Sequence, residues 1–172
     1  FESVLQGGGV VRAINAGARD MSRSELEGLN DVVRIHGAKA VAPIYCGDGG
    51  WTGNLAKFFT AEQIAAANAK LEASDGDLLL FVADQQKVAA NSLGGLRLHL
   101  GERFGLIPEE RHDPLWIVKF PMFERDESDG TRPRWAALHH PFTAPSGDLD
   151  DPENLQSRAY DLVLDGVEIG GG

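Results

Sequence analysis

The clearest periodicity in the chain lies at Ala89, Leu93, Leu96 and Leu100, which recur at steps of four, three and four. That spacing lays one apolar stripe along a helix ending near Gly105. Two earlier helices are marked by their start signals. Ser22 with Glu25, and Thr60 with Gln63, each have the spacing of a capping box, in which side chain and backbone satisfy each other's exposed groups. The first helix covers 22 to 37, with Leu26, Leu29 and Val33 as its stripe and Gly37 as a left-handed stop; the second extends to about Ala73. "DLLLFVA" at 77 to 83 is apolar without alternation, which predicts a strand covered on both faces. "GGGVVRAINA" at 7 to 16 and "AKAVAPIYC" at 38 to 46 supply two further strands. Pro43 argues that the latter is an edge, and "GDGG" at 47 to 50 reads as a loop. Gly94 and Gly95 interrupt the last helix at about 1 kcal/mol each relative to Ala, a cost that close packing against a neighbour would explain.

The pattern changes after "LIPEERHDP". From Leu115 onward only β-like runs remain: "LWIVKFPMFE" at 115 to 124, "RWAAL" at 134 to 138 and "AYDLVLDGVEIGGG" at 159 to 172. The expected organisation is therefore α+β. A module of three helices and three strands fills 1 to 107, and antiparallel strands fill 114 to 172. Within the last run, Asp165-Gly166 between alternating apolar residues is a strong signal for a two-residue type I′ hairpin. Such a turn opposes Leu164 to Val167, Val163 to Glu168, Leu162 to Ile169 and Asp161 to Gly170. Asp161, Val163 and Glu168 then share one face.

Composition narrows the function classes. The 172 residues are 42% hydrophobic and 24% charged, as in a soluble globular protein. No stretch approaches the ~20 apolar residues of a membrane span, and no leader-like segment opens the chain. Cys46 is the single cysteine, which fits a reducing compartment and a buried role rather than a nucleophile. Sixteen basic against 26 acidic residues give a formal net charge of -10, which argues against a freestanding nucleic-acid clamp. The chain begins at Phe1 and stops on three glycines, so it reads as a piece of a longer polypeptide.

Two groups of residues could carry chemistry. In "ALHHPFTAP" (137 to 145), His139 and His140 are adjacent on an extended segment, so they point to opposite faces and cannot grip one ion as a helical i, i+4 pair can. Asp161 and Glu168 are diagonal neighbours beside a glycine, an arrangement suited to Mg²⁺ bridging to phosphate oxygens. From the residues alone, the acids fit a merely solvated face as well, and one histidine fits a structural role.

Taken together and in order, "LWIVKFPMFE", "ALHHPFTAP" and "AYDLVLDGVEIGGG" resemble the C-terminal half of the catalytic domain of bacterial aspartyl-tRNA synthetases, which are class II enzymes. The preceding "GGGVVRAI", "HGAKAVAPI", "LAKFF", "GDLLLFVAD" and "LGGLRLHLGERFGLI" resemble the GAD insertion domain that bacterial-type members carry. The resemblance covers nearly the whole chain. It implies that His139 contacts L-aspartate from a loop closing over the amino acid, and that His140 lines the same pocket. It also implies that Glu168 binds ATP and its Mg²⁺, with Asp161 as acidic partner. It implies a cytoplasmic homodimeric ligase that forms aspartyl-adenylate and passes the acyl group to tRNA-Asp. Such sites work by positioning and charge neutralisation, so no catalytic acid or base is assigned.

Lys119 departs from the pattern, standing where the family usually has an acidic residue. Asp165 replaces a frequent Asn of the hairpin, an exchange that a type I′ turn accepts. The first two signature motifs of the family would precede Phe1, and its third motif and substrate arginine would follow Gly172. The anticodon-binding domain is also absent, so the chain alone is expected to be inactive. A second reading is a non-catalytic GAD interaction module, as in tRNA-dependent amidotransferase subunits. The run from Leu115 to Gly172 separates the two, because a bare module has no reason to carry the histidine loop and the acidic hairpin.

Overall fold

A computed structural model describes residues 1 to 126 and 134 to 172. The chain divides into two compact units, Phe1–Pro108 and Glu109–Gly172.

The first unit is a four-stranded antiparallel sheet with helices on both faces. Its strands are β1 (Val10–Ala18), β2 (Ala42–Gly47), β3 (Gly50–Thr52) and β4 (Asp77–Asp84), in the spatial order β1-β4-β2-β3. The helices are α1 (Glu2–Gln6), α2 (Arg23–Arg34), α3 (Ala61–Leu71) and α4 (Gln86–Arg103). Both expected capping boxes are formed, Ser22 with Glu25 on α2 and Thr60 with Gln63 on α3. Gly37 takes the left-handed conformation, with φ of 92°, just past α2.

β4 alternates between two cores. Leu78, Leu80 and Val82 pack with Leu29 and Val33 of α2 and with Ala89, Leu93, Leu96 and Leu100 of α4. Leu79 and Phe81 pack on the other side with Ile44, Cys46 and Trp51, under Ile64 and Ala67 of α3. Each of the Leu, Ile, Val and Phe side chains among them, taken fully out of water, contributes about 1.5–3 kcal/mol.

Two expectations need correction here. "GDGG" is the turn of a β2–β3 hairpin rather than a plain loop, and Gly47 pairs with Gly50. The three-residue strand is too short to show a period, and it is anchored by burial of Trp51. β2 is not an edge strand, since it lies between β4 and β3. Pro43 is tolerated because β3 pairs only with Tyr45, Cys46 and Gly47. At Pro43 the ladder runs on one side only, toward Leu80 of β4, while its carbonyl lies on the other side against Gly53, so the missing N–H, turned the same way as that carbonyl, costs no bond to β4. The five-residue α1, too short for an apolar stripe, escapes the sequence pattern, as does β3.

Of the paired glycines in α4, one is explained. A Cβ on Gly95 would lie 2.2 Å from Nε2 of His36, whose ring fills the notch. A Cβ on Gly94 would meet nothing within 4 Å.

The second unit is built from short antiparallel pairings. β5 (Pro114–Val118), β10 (Tyr160–Leu164) and β11 (Val167–Gly171) form a sheet in the order β11-β10-β5. β6 (Phe123–Asp126) pairs with β7 (Arg134–Ala137), and β8 (Pro145–Ser146) pairs with β9 (Gln156–Ser157). Among the described residues of this unit few side chains are buried: Met122, Leu155 and Ser157. Asp165 and Gly166 both have positive φ, 53° and 84°, as a type I′ turn requires. Leu164 opposes Val167 and Val163 opposes Glu168, but a register shift follows, so that Leu162 opposes Gly170 and Asp161 opposes Gly171. The expected pairs of Leu162 with Ile169 and of Asp161 with Gly170 are thus displaced by one residue. Ile169 is left as the extra residue of a bulge, a device that strengthens local twist and that strict alternation cannot foresee.

Asp165 does more than shape the turn. Its carboxylate accepts the Asp113 backbone N–H at 2.8 Å and meets Nδ1 of His112 at 2.7 Å, tying the hairpin to the segment that enters β5. The bond to His112, followed by that from Asp113, holds its carboxyl below the usual carboxylate range. A depressed acid contributes stability above its unfolded pKa and loses it as pH falls through the lower folded value. The tether should therefore persist while ordinary carboxylates protonate and release only at more acid pH. Amide exchange at Asp113 tests this: Asp165→Ala should speed exchange at neutral pH, and the difference should vanish in strong acid.

The glycine pair generates a second expectation. Gly94→Ala should raise unfolding free energy by up to about 1 kcal/mol through helix propensity alone. Gly95→Ala should fail to do so because its Cβ displaces His36, and His36→Ala should restore the gain. Denaturant unfolding of the three variants and the double variant measures the difference; equal gains for the two single glycine variants would refute the packing role of His36.

Candidate functional site

The singled-out residues all lie in the second unit. His139 and His140 follow β7 in a connection that leads to β8. Leu138 N–H donates to Met122 O at 3.2 Å, which extends the pairing to the edge of the doublet. Beyond it, Thr143 N–H donates to His140 O at 2.9 Å, closing a turn with Pro141 at its second position, where the fixed φ of proline is favourable.

The two rings have different surroundings, as adjacent residues on extended backbone should. His139 is half-buried. Its Nε2 lies 3.2 Å from Oγ of the buried Ser157, and its ring meets Phe120 edge-on at 5.7 Å. Ser157 is itself positioned by its backbone N–H donating to Phe120 O at 2.8 Å. His140 is exposed. Its Nδ1 accepts the Phe142 backbone N–H at 3.2 Å, and its ring stands 4.9 Å from that of Phe142 in a T-shaped contact.

Two depressions adjoin these residues. One, of about 320 Å³, is lined by His140, Phe142, Thr143, Arg158 and Gly172 among others. The larger, of about 600 Å³, has Trp116, Lys119, Ser157, Arg158 and Tyr160 in its lining, with Trp116 and Tyr160 in edge contact at 5.7 Å. Arg158 borders both. His139 lines neither, but reaches the larger one through Ser157.

The acids occupy the hairpin. A Cβ on Gly171 would fall 2.7 Å from Oδ1 of Asp161, so this carboxylate folds over a strand that only glycine leaves open. Glu168 pairs across from Val163 on β11. Neither acid lines the two depressions. Among the described residues, no group of three or more His, Cys, Asp or Glu side chains could hold a metal ion. A pair of carboxylates beside glycine fits Mg²⁺ only as an ion that keeps most of its oxygen ligands from phosphates and water.

Arg158, Ser157 and Lys119 join the site by structure. A lone arginine before "AYD" carries no spacing that marks it, and Ser157 is recognisable only through its contact with His139. Lys119 could be noticed as the acid-to-base departure. The structure adds that its φ is 62°, a left-handed conformation that costs a non-glycine residue about 1–2 kcal/mol and tends to gather at functional sites.

Comparison with known proteins follows the same division. Residues 1–93 match the GAD domain family. Over its whole length the chain is 48% identical to the aspartate–tRNA(Asp/Asn) ligase of Geotalea uraniireducens, of which it covers 30%. It is likewise 48% identical to the enzyme of that name from Heliobacterium modesticaldum, covering 29%, and 45% identical to the aspartate–tRNA ligase of Halalkalibacterium halodurans, covering 30%. The chain thus spans under a third of the length of these relatives. With more than half of its residues inside the GAD match, and the remainder still aligned with bacterial aspartate–tRNA ligases, the chain belongs to the GAD domain family.

Proposed function

We propose that this chain is part of a bacterial-type aspartate–tRNA ligase, a class II synthetase. That enzyme activates L-aspartate with ATP and Mg²⁺ to aspartyl-adenylate and transfers the aspartyl group to the 3′ end of tRNA-Asp. The observation that carries this reading is identity sustained across all of the chain, well past residue 93 where the GAD match ends. A non-catalytic GAD module, as in tRNA-dependent amidotransferase subunits, accounts for the first unit only. It leaves the histidine turn and the acidic hairpin without a purpose.

In this reading His139 donates to the carboxylate of bound aspartate while Ser157 and Phe120 hold its ring, and His140 lines the approach beside Arg158. Glu168 and Asp161 take the ATP-bound Mg²⁺, which when bound neutralises phosphate charge at the reacting centre. The exposed faces of β5 and β11, where Trp116, Val118, Val167 and Ile169 are each more than half accessible, are covered by the rest of a catalytic domain. The whole enzyme is a cytoplasmic homodimer. No helix among the described residues is long and apolar enough to cross a membrane.

Two outcomes test the reading. The isolated chain should support no aspartate-dependent pyrophosphate exchange, because the triphosphate needs positive groups that this acidic chain, at a net -10, does not concentrate. Exchange by the chain alone would overturn the division of the site.

In the complete enzyme, His139→Ala should weaken aspartate use roughly ten- to a hundredfold, the equivalent of about 1.5–3 kcal/mol for a charge-assisted hydrogen bond, with little change in the Michaelis constant for ATP. Glu168→Ala should strike ATP and Mg²⁺ dependence first. Steady-state exchange with both variants, checked against their melting temperatures, decides the matter. Equal losses for both substrates, or a large fall in melting temperature for His139→Ala, would assign the histidine a structural role.

A further inference from the structure

The sheet of the first unit ends unequally. β3 contributes a three-residue edge, whereas β1 presents nine residues, Val10–Ala18, at the other. Among the described residues, no backbone–backbone hydrogen bond outside the β4 ladder involves 10 to 16. Proteins commonly cover, shorten or charge so long an edge, because its free N–H and C=O groups are a template for another strand. β1 carries a single charged residue, Arg12.

A groove of about 460 Å³ runs beside this edge, between Ile14 and Ala16 of β1 and Arg97 and Leu98 of α4, with Leu106 and Ile107 at one end. Leu100 in its lining is buried, but Leu98, Leu106 and Ile107 are 53%, 56% and 56% accessible. Residues 94, 97, 98 and 101 share one face of α4. Gly101 on that face is packed by Ile107, whose Cγ1 would lie 3.4 Å from an added Cβ, but Gly94 faces open space. Nothing among the described residues repays its helix cost. A second backbone passing close to the helix would require a glycine there.

We propose that the free edge of β1 and this groove bind an extended segment of a partner protein by strand addition, one that alternates apolar and acidic side chains. The β1 backbone would supply the main-chain bonds, the Leu98–Leu106–Ile107 floor would take alternate side chains, and Arg97 and Arg12 would face the carboxylates. Charge selects this occupant. Arg97 is the one charged residue in the groove lining, and neither it nor Arg12 belongs to an ion pair among the described residues. A second copy docked through the same edge would bring like-charged arginines together across two chains of net charge -10. RNA would gain nothing from the apolar floor. The inference concerns the GAD unit and stands apart from the proposed reaction.

The probe is a capped ten-residue peptide of alternating Val and Glu, titrated into the isotope-labelled 172-residue chain, with a Val and Lys peptide and a proline-interrupted Val and Glu peptide as controls. The expected result is saturable binding of the first alone. Shifts and slowed amide exchange should be confined to 10 to 16, with methyl shifts at Leu98 and Ile107. Arg97→Glu, an exposed helical position, should keep the melting temperature, lower affinity for the acidic peptide about fivefold and admit the lysine peptide. Four results would each overturn the proposal: no saturable binding, equal binding of both charged peptides, self-association that protects β1 without peptide, or binding of a single-stranded RNA oligonucleotide with none of the peptide.

Discussion

Strand β4 has no solvent face, and the first unit is arranged around that constraint. Leu78, Leu80 and Val82 require one layer of helices, and Leu79 and Phe81 require another, so the sheet must be central and the helices must divide between its sides. A strand apolar on both faces is poorly protected against slipping by one residue, since either register buries hydrocarbon. The safeguard is polar and sits at the strand's start. Buried Asp77 accepts the Asn15 side-chain amide at 2.8 Å and the Ser74 backbone N–H at 2.9 Å. The Ser74 bond, then the Asn15 bond, hold its carboxyl below the usual range. A slipped register would keep the local Ser74 bond but part that carboxylate from Asn15, leaving it one cross-strand partner short.

The second unit has the opposite economy. With little beyond Met122, Leu155 and Ser157 buried, its order rests on backbone pairing and a few polar ties. His112 and Asp113 hold Asp165; Ser157 holds His139; Phe142 holds His140. The residues proposed to meet substrate are thus fixed by hydrogen bonds between neighbouring strands and turns rather than by a core. Loss of one such tie moves a functional side chain without unfolding much else.

This contrast also decides what the sequence discloses. The caps at Ser22 and Thr60, the stripe from Ala89 to Leu100 and the run in β4 are local rules obeyed by the structure, and each is visible from a few residues. The type I′ turn at Asp165-Gly166 is equally local. What escapes has a non-local cause. Pro43 sits inside the sheet because β3 is short, a fact held by Gly50 to Thr52 and not by Pro43 itself. The bulge at Ile169 breaks an alternation that the residues write faithfully. Gly95 has its reason in His36, 59 positions earlier in the chain. At the site, the histidine doublet and the hairpin acids stand out as unusual types in unusual places, whereas Arg158 and Ser157 acquire meaning only from what they adjoin.

The same ties prepare the histidines chemically. His139 meets the Ser157 hydroxyl through Nε2, which leaves Nδ1 as the ring nitrogen outside that contact. In the proposed reading that nitrogen is the one turned to the substrate carboxylate. His140 is set the other way round: its Nδ1 accepts from Phe142, so the neutral ring keeps its proton on Nε2. Each ring therefore has one nitrogen spent on the fold and one left over, and the two differ in position because alternation turned the rings apart. Adjacent histidines that would fail as a pair of metal ligands are, by the same geometry, presented to different surroundings, His140 in the depression it shares with Arg158 and His139 against Ser157. In the proposed reading, bound aspartate would meet side chains already held by the fold, which is the condition under which polar recognition costs least in ordering.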